Sequence, residues 1–337
     1  MPQDLSAAGQ DSYDPQVAVD GHGTAIAVWS RSNGTNLIVQ AAARAAGGSF
    51  GAPQDLSAVG QKAGFAQVAI DGQGNAIAVW SRFDGTNFIV QAAARAAASR
   101  RRWRYFTPKR GGSFGAPQDL SAASQDAFNP QVAFDGQGNA IAVWHRFDAG
   151  TNTIVQAAAR AADSRRRRRY FTPKRGGSFG APQDLSAAGQ NASFPEVAVD
   201  GQGNAIAVWR RFDGTNFIVQ AAARAAGGSF GAPQDLSAAG QKAGFPEVAV
   251  DGQGNAIAVW QRFDGTNFIM QAAVRAAGGS FGAPQDLSAA GQTANDPQVA
   301  VDGQGNAIAV WSRSNGTNYI VQAAVRAAGP QTAALAS

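Results

Sequence analysis

One stretch of alternating residues recurs six times in this chain and sharply limits how it can fold. Its clearest copy is residues 246–262, PEVAVDGQGNAIAVWQR, in which two alternating apolar runs flank the turn residues DGQGN. This pattern is typical of a β-hairpin. The other copies begin at Pro15, Ala66, Pro130, Pro195 and Pro297. Since repeats of this length stack into one body, we expect a single domain over residues 1–328 and a flexible tail at 329–337.

The period of the repeat indicates the architecture. The motif PQDLS recurs every 51 residues, or every 64 and 65 where the chain carries inserts, starting at Pro2, Pro53, Pro117, Pro182, Pro233 and Pro284. Each repeat contains four strand-like pieces, which in the fifth repeat are 246–251, 256–262, 268–276 and 281–288. A period near 50 with four short strands fits a propeller blade. We therefore predict an all-β, six-bladed β-propeller of four-stranded blades, with its ring closed by the N-terminal strand 2–6 completing the last blade.

Basic charge is concentrated in two inserts, 98–110 (ASRRRWRYFTPKR) and 163–175 (DSRRRRRYFTPKR). Together they hold 13 of the 28 Lys and Arg residues and one of the 23 acidic residues, so the net charge of +5 comes from these loops. Arg runs beside aromatic residues fit a nucleic acid, an anionic membrane surface or an acidic protein. They fit solvated low-complexity loops without a partner equally well. The candidate partner-binding residues are Arg100, Arg101, Arg102, Trp103, Arg104, Arg165, Arg166, Arg167, Arg168 and Arg169.

Composition excludes some classes of site. The chain has no Cys, which excludes disulfides and thiolate metal sites. No signal peptide is recognisable and no run of 18 apolar residues occurs, so we expect no membrane span. The compartment stays open, with an extracellular or cell-surface location if a signal has been removed. We predict no cofactor and no metal: each D-G-x-G turn offers one carboxylate, whereas Ca²⁺ takes six to eight oxygen ligands, and such an Asp usually bonds its own turn.

A Trp followed two positions later by Arg recurs in every repeat. A Trp face beside a guanidinium can stack a sugar ring and hold its hydroxyl groups. The alternative is a Trp that packs between blades and is capped by a surface Arg, because the Trp shares its strand face with two Ala. The candidate ligand-binding residues are Trp29, Arg31, Trp80, Arg82, Trp144, Arg146, Trp209, Arg211, Trp260, Arg262, Trp311 and Arg313.

The loop before each hairpin is the most variable part of the repeat. Five of the six loops carry an aromatic residue: Tyr13, Phe65, Phe128, Phe194 and Phe245. We expect these loops to share one face with the FDGTN-type loops, where aromatic rings beside Asp, Asn and Gln would form shallow glycan sites. The alternative is that each ring folds over the rim of its own blade.

The sequence does not favour an enzyme. The only two His, His22 and His145, lie in different repeats, the only two Glu are Glu196 and Glu247, and no G-x-S-x-G motif occurs. A catalytic site needs different residues in distinct roles, whereas near-copies of one blade produce similar sites.

The hairpin, P-x-V-A-x-D-x-x-G-N-A-x-A-V-W, resembles a bacterial β-propeller family with near-identical, amplified blades, over nearly the whole chain outside the inserts and the tail. The blade plan is similar to that of sialidase-like propellers, although their S-x-D-x-G-x-T-W box and arginine triad are missing. The Gly-His and Trp-Asp motifs that mark WD40 blades do not recur in these repeats. Six-bladed fucose-binding lectins, which use Arg, Glu and an aromatic residue between blades, are a looser comparison. The resemblance implies a fold more than a function.

From these features we expect a non-catalytic, multivalent binding module, with glycans as the first candidate ligand, because six similar weak sites gain from avidity. The alternative is a structural docking subunit whose two Arg-rich loops bind a protein partner, an anionic polymer or a membrane surface.

Overall fold

The computed structural model describes residues 2–97, 112–148, 150–162 and 177–328. These residues are all-β, with 23 strands and no helix among them, and therefore no helix that could cross a membrane. The strands form six antiparallel sheets, numbered 1 to 6 here in chain order. Each sheet has three strands of eight residues, A, B and C, and sheets 1 to 5 add a two-residue strand D. The predicted all-β, six-bladed propeller fold is confirmed at the level of these repeated sheets.

In the first three sheets, strands follow one another across the sheet in chain order. Sheet 1 contains β1 (Ser12–Val19), β2 (Ala25–Ser32), β3 (Leu37–Arg44) and β4 (Gln54–Asp55). Sheet 2 contains β5 (Ala63–Ile70), β6 (Ala76–Phe83), β7 (Phe88–Arg95) and β8 (Gln118–Asp119). Sheet 3 contains β9 (Ala127–Phe134), β10 (Ala140–Phe147), β11 (Thr153–Arg160) and β12 (Gln183–Asp184).

The last three sheets repeat this order, except that sheet 6 has three strands. Sheet 4 contains β13 (Ala192–Val199), β14 (Ala205–Phe212), β15 (Phe217–Arg224) and β16 (Gln234–Asp235). Sheet 5 contains β17 (Ala243–Val250), β18 (Ala256–Phe263), β19 (Phe268–Arg275) and β20 (Gln285–Asp286). Sheet 6 contains β21 (Ala294–Val301), β22 (Ala307–Ser314) and β23 (Tyr319–Arg326).

Strand D is shorter than the sequence predicts. In the fifth repeat the prediction is 281–288, whereas strand β20 is two residues long and is preceded only by an isolated bridge between Arg275 and Phe281. Pro284 has no amide hydrogen to donate, so the hydrogen-bond ladder is interrupted between the bridge and the strand.

Strand A is longer than predicted because it continues through a β-bulge. In sheet 5 the register shifts between Gly244, which pairs with Gln261, and Glu247, which pairs with Val259. Two residues of β17 thus lie opposite the single residue Trp260, which defines a bulge. One bulge residue in every sheet has a positive φ of 50–56° although it is not glycine: Asp14, Phe65, Asn129, Phe194, Phe245 and Asp296.

Neighbouring sheets pack through two different faces. One face of each sheet presents Ile, Val and Leu, as at Ile257 and Leu287 of sheet 5. The opposite face presents Ala and Trp, as at Ala309 and Trp311 of sheet 6, and the two sets form one buried cluster. We call them the Ile/Val face and the Ala/Trp face. The same pairing joins sheet 1 to 2, sheet 2 to 3 and sheet 4 to 5, and small Ala residues allow the close approach.

The chain divides into two compact units. The first comprises Met1–Arg146 with Ala158–Pro182, and the second comprises Phe147–Ala157 with Gln183–Ser337. Sheets 1 and 2 belong to the first unit and sheets 4 to 6 to the second, while sheet 3 contributes to both. The organisation as one domain remains a prediction, and the tail at 329–337 lies outside the described residues.

The N-terminal segment 2–6 has no strand assignment of its own, and its completion of the last blade stays a prediction. It contacts sheet 1, which belongs to the same compact unit. Gln3 accepts a hydrogen bond from the amide of Phe50 and donates one to its carbonyl, at 3.0 and 2.8 Å, and Leu5 packs against Trp29. The same two bonds join the Gln of four further PQDLS motifs to a Phe one repeat later, at Gln54 and Phe114, Gln118 and Phe179, Gln183 and Phe230, and Gln234 and Phe281. The segment therefore makes the contacts of a strand D with the following sheet.

Candidate functional site

The six repeated tryptophans are buried. Trp80, Trp144, Trp209 and Trp260 are 0% exposed, and Trp29 and Trp311 are 4% and 3% exposed. Each lies on the Ala/Trp face, and the indole N–H of Trp209 donates to the side-chain oxygen of Gln220 at 3.1 Å. This corrects their interpretation as sugar-stacking residues, because no ring face is open to a ligand. Packing between sheets, the alternative that the strand alternation suggested, accounts for them.

The arginines that follow these tryptophans hold their own sheets together. Four of them lie 3.3–3.7 Å from the Asp of strand D: Arg31 and Asp55, Arg82 and Asp119, Arg211 and Asp235, Arg262 and Asp286. Arg146 donates to Gln125 in the loop before its hairpin. Arg313 lies in sheet 6, whose three described strands in the second unit include no strand D. The proposed Trp–Arg pairs are therefore not brought together as an open site.

The D-G-x-G aspartates bond their own turns, as the alternative to a metal role suggested. Asp251 Oδ1 accepts hydrogen bonds from the amides of Gln253 and Asn255, and its Oδ2 accepts one from the Asn255 side chain at 2.7 Å. The same arrangement recurs at Asp71, Asp135, Asp200 and Asp302. These carboxylates are occupied in fixing the hairpin turns.

The loop before strand A and the loop between strands B and C share one end of the sheets, which we call the rim. The amide of Phe212 donates to the carbonyl of Asn191 at 2.7 Å, and the amide of Gly240 donates to Asp213 Oδ2 at 2.8 Å. Backbone hydrogen bonds from Asn216, Gly240 and Thr215 lower the pKa of Asp213 to about 2. Hydrogen bonds thus connect the loop before strand A with the loop between strands B and C. These contacts agree with the predicted placement of both loops on one face.

The rim exposes aromatic rings on a strained backbone. Phe65 and Phe245 are 58% and 51% exposed, and both occupy the bulge position with φ near +50°. Phe194 is also a bulge residue and is 37% exposed, while Tyr13, which precedes the bulge residue of sheet 1, is 47% exposed. A bulky residue rarely adopts this conformation, which costs free energy and is concentrated at functional sites. The bulge places the rings of Phe65, Phe194 and Phe245 on the edge strand of their sheets, where they stay partly exposed.

The most developed group of rim side chains surrounds Arg210; we call Phe194, Arg210, Phe217 and Phe245 the Arg210 cluster. The guanidinium carbon lies 4.3 Å from the ring centre of Phe194, 4.4 Å from that of Phe217 and 5.7 Å from that of Phe245. The rings of Phe194 and Phe245, from sheets 4 and 5, are 5.6 Å apart. Arg210 Nε donates to the Ser193 hydroxyl at 3.0 Å. Burial lowers the pKa of Arg210, which remains a cation.

Two smaller groups combine a lysine with Phe rings. Lys62 lies 5.7 Å from the ring centre of Phe88, which contacts Phe83 and Phe128 at 5.3 and 5.2 Å. Lys242 lies 5.2 Å from the ring centre of Phe268, which contacts Phe263 at 5.4 Å. Cation–π contacts of this kind orient the charged group over the ring and leave its outer side hydrated.

Sequence reasoning found the variable aromatic residues but missed their cationic partners. Arg210, Lys62 and Lys242 were not candidates, and neither were Phe88, Phe217 and Phe268, which begin the C strands. A signal was present at the residue between Trp and Arg, because this position differs between repeats: Ser30, Ser81, His145, Arg210, Gln261 and Ser312. The predicted Arg-rich binding loops, 98–110 and 163–175, lie outside the described residues, so a role for them stays a prediction.

No family model and no curated protein sequence matches the chain. Solved structures match by fold. A polysaccharide lyase, the PL25 ulvan lyase bound to a GlcA–Rha3S saccharide, is 8% identical, with a TM-score of 0.55 over 93% of this chain and 80% of the lyase. A protein of unknown function from Dyadobacter fermentans is 12% identical, with a TM-score of 0.53 over 94% of both chains. The leech intramolecular trans-sialidase is 8% identical, with a TM-score of 0.50 over 92% of this chain and 66% of the enzyme. At these identities the similarity shows the fold alone.

Proposed function

We propose that this protein is a non-catalytic module that binds glycans at its rim. The observation that carries the proposal is the Arg210 cluster, where exposed rings of Phe194 and Phe245 flank a cation. Aromatic faces stack on the C–H faces of sugar rings, and few, well-placed polar groups fix the orientation.

Repetition of the rim supports binding by many weak sites. Phe65, Phe194 and Phe245 occupy the same bulge position in three sheets, and the Lys62 and Lys242 groups provide further ring–cation pairs. Several weak sites on one protein give high avidity for a repeating polymer. Glycan-active proteins are found among the structural neighbours, which is compatible with the proposal.

Catalysis is not part of the proposal. The rim groups repeat one combination of side chains, whereas a catalytic site assigns different roles to different residues. The docking alternative depends on the Arg-rich loops and has no observation from the described residues in its favour.

The test replaces the three exposed bulge phenylalanines together by Asn. Asn129 already occupies this position in sheet 3, and Asn tolerates a positive φ, so the triple variant Phe65→Asn, Phe194→Asn, Phe245→Asn should fold. On a glycan array we expect the wild-type protein to bind a defined set of oligosaccharides and the triple variant to lose at least tenfold in signal. Val59→Ser is the matched control, because Val59 is exposed but is not part of the three cation–Phe groups, and it should bind as wild type.

Two results would contradict the proposal. One is a wild-type array without glycan signal above background. The other is a triple variant that folds, as judged by its circular dichroism and thermal midpoint, and binds the same glycans as strongly as wild type.

A further inference from the structure

We infer that the Arg210 cluster selects acidic sugars: the Arg210 guanidinium binds the carboxylate of a uronate unit whose ring stacks on Phe245. This inference rests on the proposed glycan binding and adds the class of ligand. It starts from the variable position between Trp and Arg, which is a cation only in sheet 4.

In sheets 2 and 5 this side chain bonds the next sheet. Ser81 donates to the carbonyl of Ala127, and Gln261 donates to the carbonyl of Ala294 and to the side chain of Asn295. Arg210 is too long for that role. Its stem passes the next sheet at Gly244, where an added Cβ would lie 3.7 Å from Arg210 Cδ, and its head rests among three Phe rings. Only its Nε has a hydrogen-bond partner among the described residues, Ser193.

The positive charge of the Arg210 guanidinium is therefore not neutralised by an acidic side chain of the described residues. The neighbouring Arg211 is paired with Asp235 at 3.6 Å, but no ion pair of Arg210 with an acidic residue occurs in the part of the chain that the structure describes. The aromatic rings remove water from one side of the cation without neutralising it. A carboxylate, which accepts two parallel hydrogen bonds from the outer nitrogens of Arg, fits such a site better than a neutral hydroxyl does.

The neighbouring ring supplies the second half of the site. Phe245 is 51% exposed and its centre lies 5.7 Å from the guanidinium carbon. The carboxylate of a uronic acid is attached directly to the sugar ring, so a ring stacked on Phe245 brings its carboxylate towards Arg210. A neutral sugar would make the stacking contact and lose the charge-assisted hydrogen bonds.

The test compares two tetrasaccharides that differ only in oxidation at C6: a β-1,4-linked glucuronic acid tetramer and cellotetraose. By isothermal titration calorimetry in low salt, we expect the wild-type protein to bind the glucuronic acid tetramer at least tenfold more tightly, with the preference falling as salt is added. Arg210→Ser, which copies sheets 1, 2 and 6, should reduce the preference to about onefold and leave the affinity for cellotetraose within twofold. Arg44→Ser removes the same charge at the opposite end of sheet 1 and should keep the preference.

The outcomes separate this inference from the proposed function. If both tetramers bind equally and Arg210→Ser changes neither affinity, the acidic-sugar site is refuted and glycan binding stands. If the preference survives in Arg210→Ser, or neither tetramer binds, the inference is also refuted, and the glycan array then decides the proposed function on its own. Loss of the preference in Phe245→Asn as well would place the site at this cluster.

Discussion

Sheets 5 and 6 have nearly the same sequence and very different surroundings. Ile257 of sheet 5 is 2% exposed, whereas Ile308, its counterpart in sheet 6, is 51% exposed. Met270 and Val321 differ in the same way, at 0% and 76%. The Ile/Val face of sheet 5 is covered by the Ala/Trp face of sheet 6, whereas no other described sheet of the second unit covers that of sheet 6. Burial in this protein is therefore a property of the neighbouring sheet and not of the strand sequence.

Truncation of the Ile/Val face should give the largest difference between the two sheets. We expect Ile257→Ala to lower the free energy of unfolding by about 3 kcal/mol, because it removes buried methyl groups and leaves a cavity. Ile308→Ala should change it by less than about 0.5 kcal/mol, as is usual for an exposed residue. Urea unfolding followed by circular dichroism measures both. Equal losses would show that in solution the Ile/Val face of sheet 6 is covered as well as that of sheet 5.

The hairpin turns should show a smaller difference of the same sign. Asp251 is buried because the turn of sheet 6 covers it: a Cβ at Gly305 would lie 3.0 Å from Asp251 Oδ2. Asp251→Ala leaves the amides of Gln253 and Asn255 without their acceptor, at a cost of about 2 kcal/mol. Asp302 makes the same bonds in an exposed turn, where water can replace the carboxylate. We expect Asp302→Ala to cost about 0.5 kcal/mol by thermal unfolding.

The smallest effect concerns pH at the A strands of the two sheets. Burial raises the pKa of Glu247 in sheet 5 from 4.5 to about 7, and a hydrogen bond with Gln298, the equivalent residue of sheet 6, partly opposes the shift. Between pH 4.5 and 7 the folded protein therefore binds more protons here than the unfolded chain does, so stability falls as pH rises through this range. The variant Glu247→Gln gives sheet 5 the glutamine that sheet 6 carries at the equivalent position, Gln298.

This variant should be more stable than wild type at pH 8, by about 1 kcal/mol once partial exposure of the site is allowed for. Between pH 4.5 and 7, the stability of this variant should also fall less with rising pH than that of the wild-type protein, because the contribution of Glu247 is removed. Gln298→Glu is the converse change, and we expect the added carboxylate to lower stability at pH 8. A wild-type stability that rises over the same range, with no change in Glu247→Gln, would contradict the assignment.

The repeated sheets could be predicted from the sequence because two local signals coincide. Alternation in PEVAVD and AIAVW sets the strands, and the Asp and Gly residues between them set the turn. The burial of Trp260 could not be settled in this way. The alternation of residues along AIAVW assigns Trp260 to the Ala/Trp face. Only the packing of sheet 4 against that face shows that the ring is covered.

The rim could be predicted only in part. Variable aromatic residues marked the right loops, but the positive φ of Phe245 depends on a register shift between two strands, which a single strand does not encode. The Arg210 cluster joins residues from strands β13, β14, β15 and β17, so its composition depends on contacts between sheets.

The hydrogen bonds between a PQDLS glutamine and the Phe one repeat later have an evolutionary consequence. Each of sheets 1 to 4 carries a Gln that bonds the next sheet and a Phe that bonds the preceding PQDLS motif, so copies of this kind can follow one another. Unequal recombination between copies would then add or delete a whole repeat while every remaining seam stays complementary. Stability in such an array is a sum of repeat and seam contributions, so the number of blades can change by duplication without redesign of any one of them.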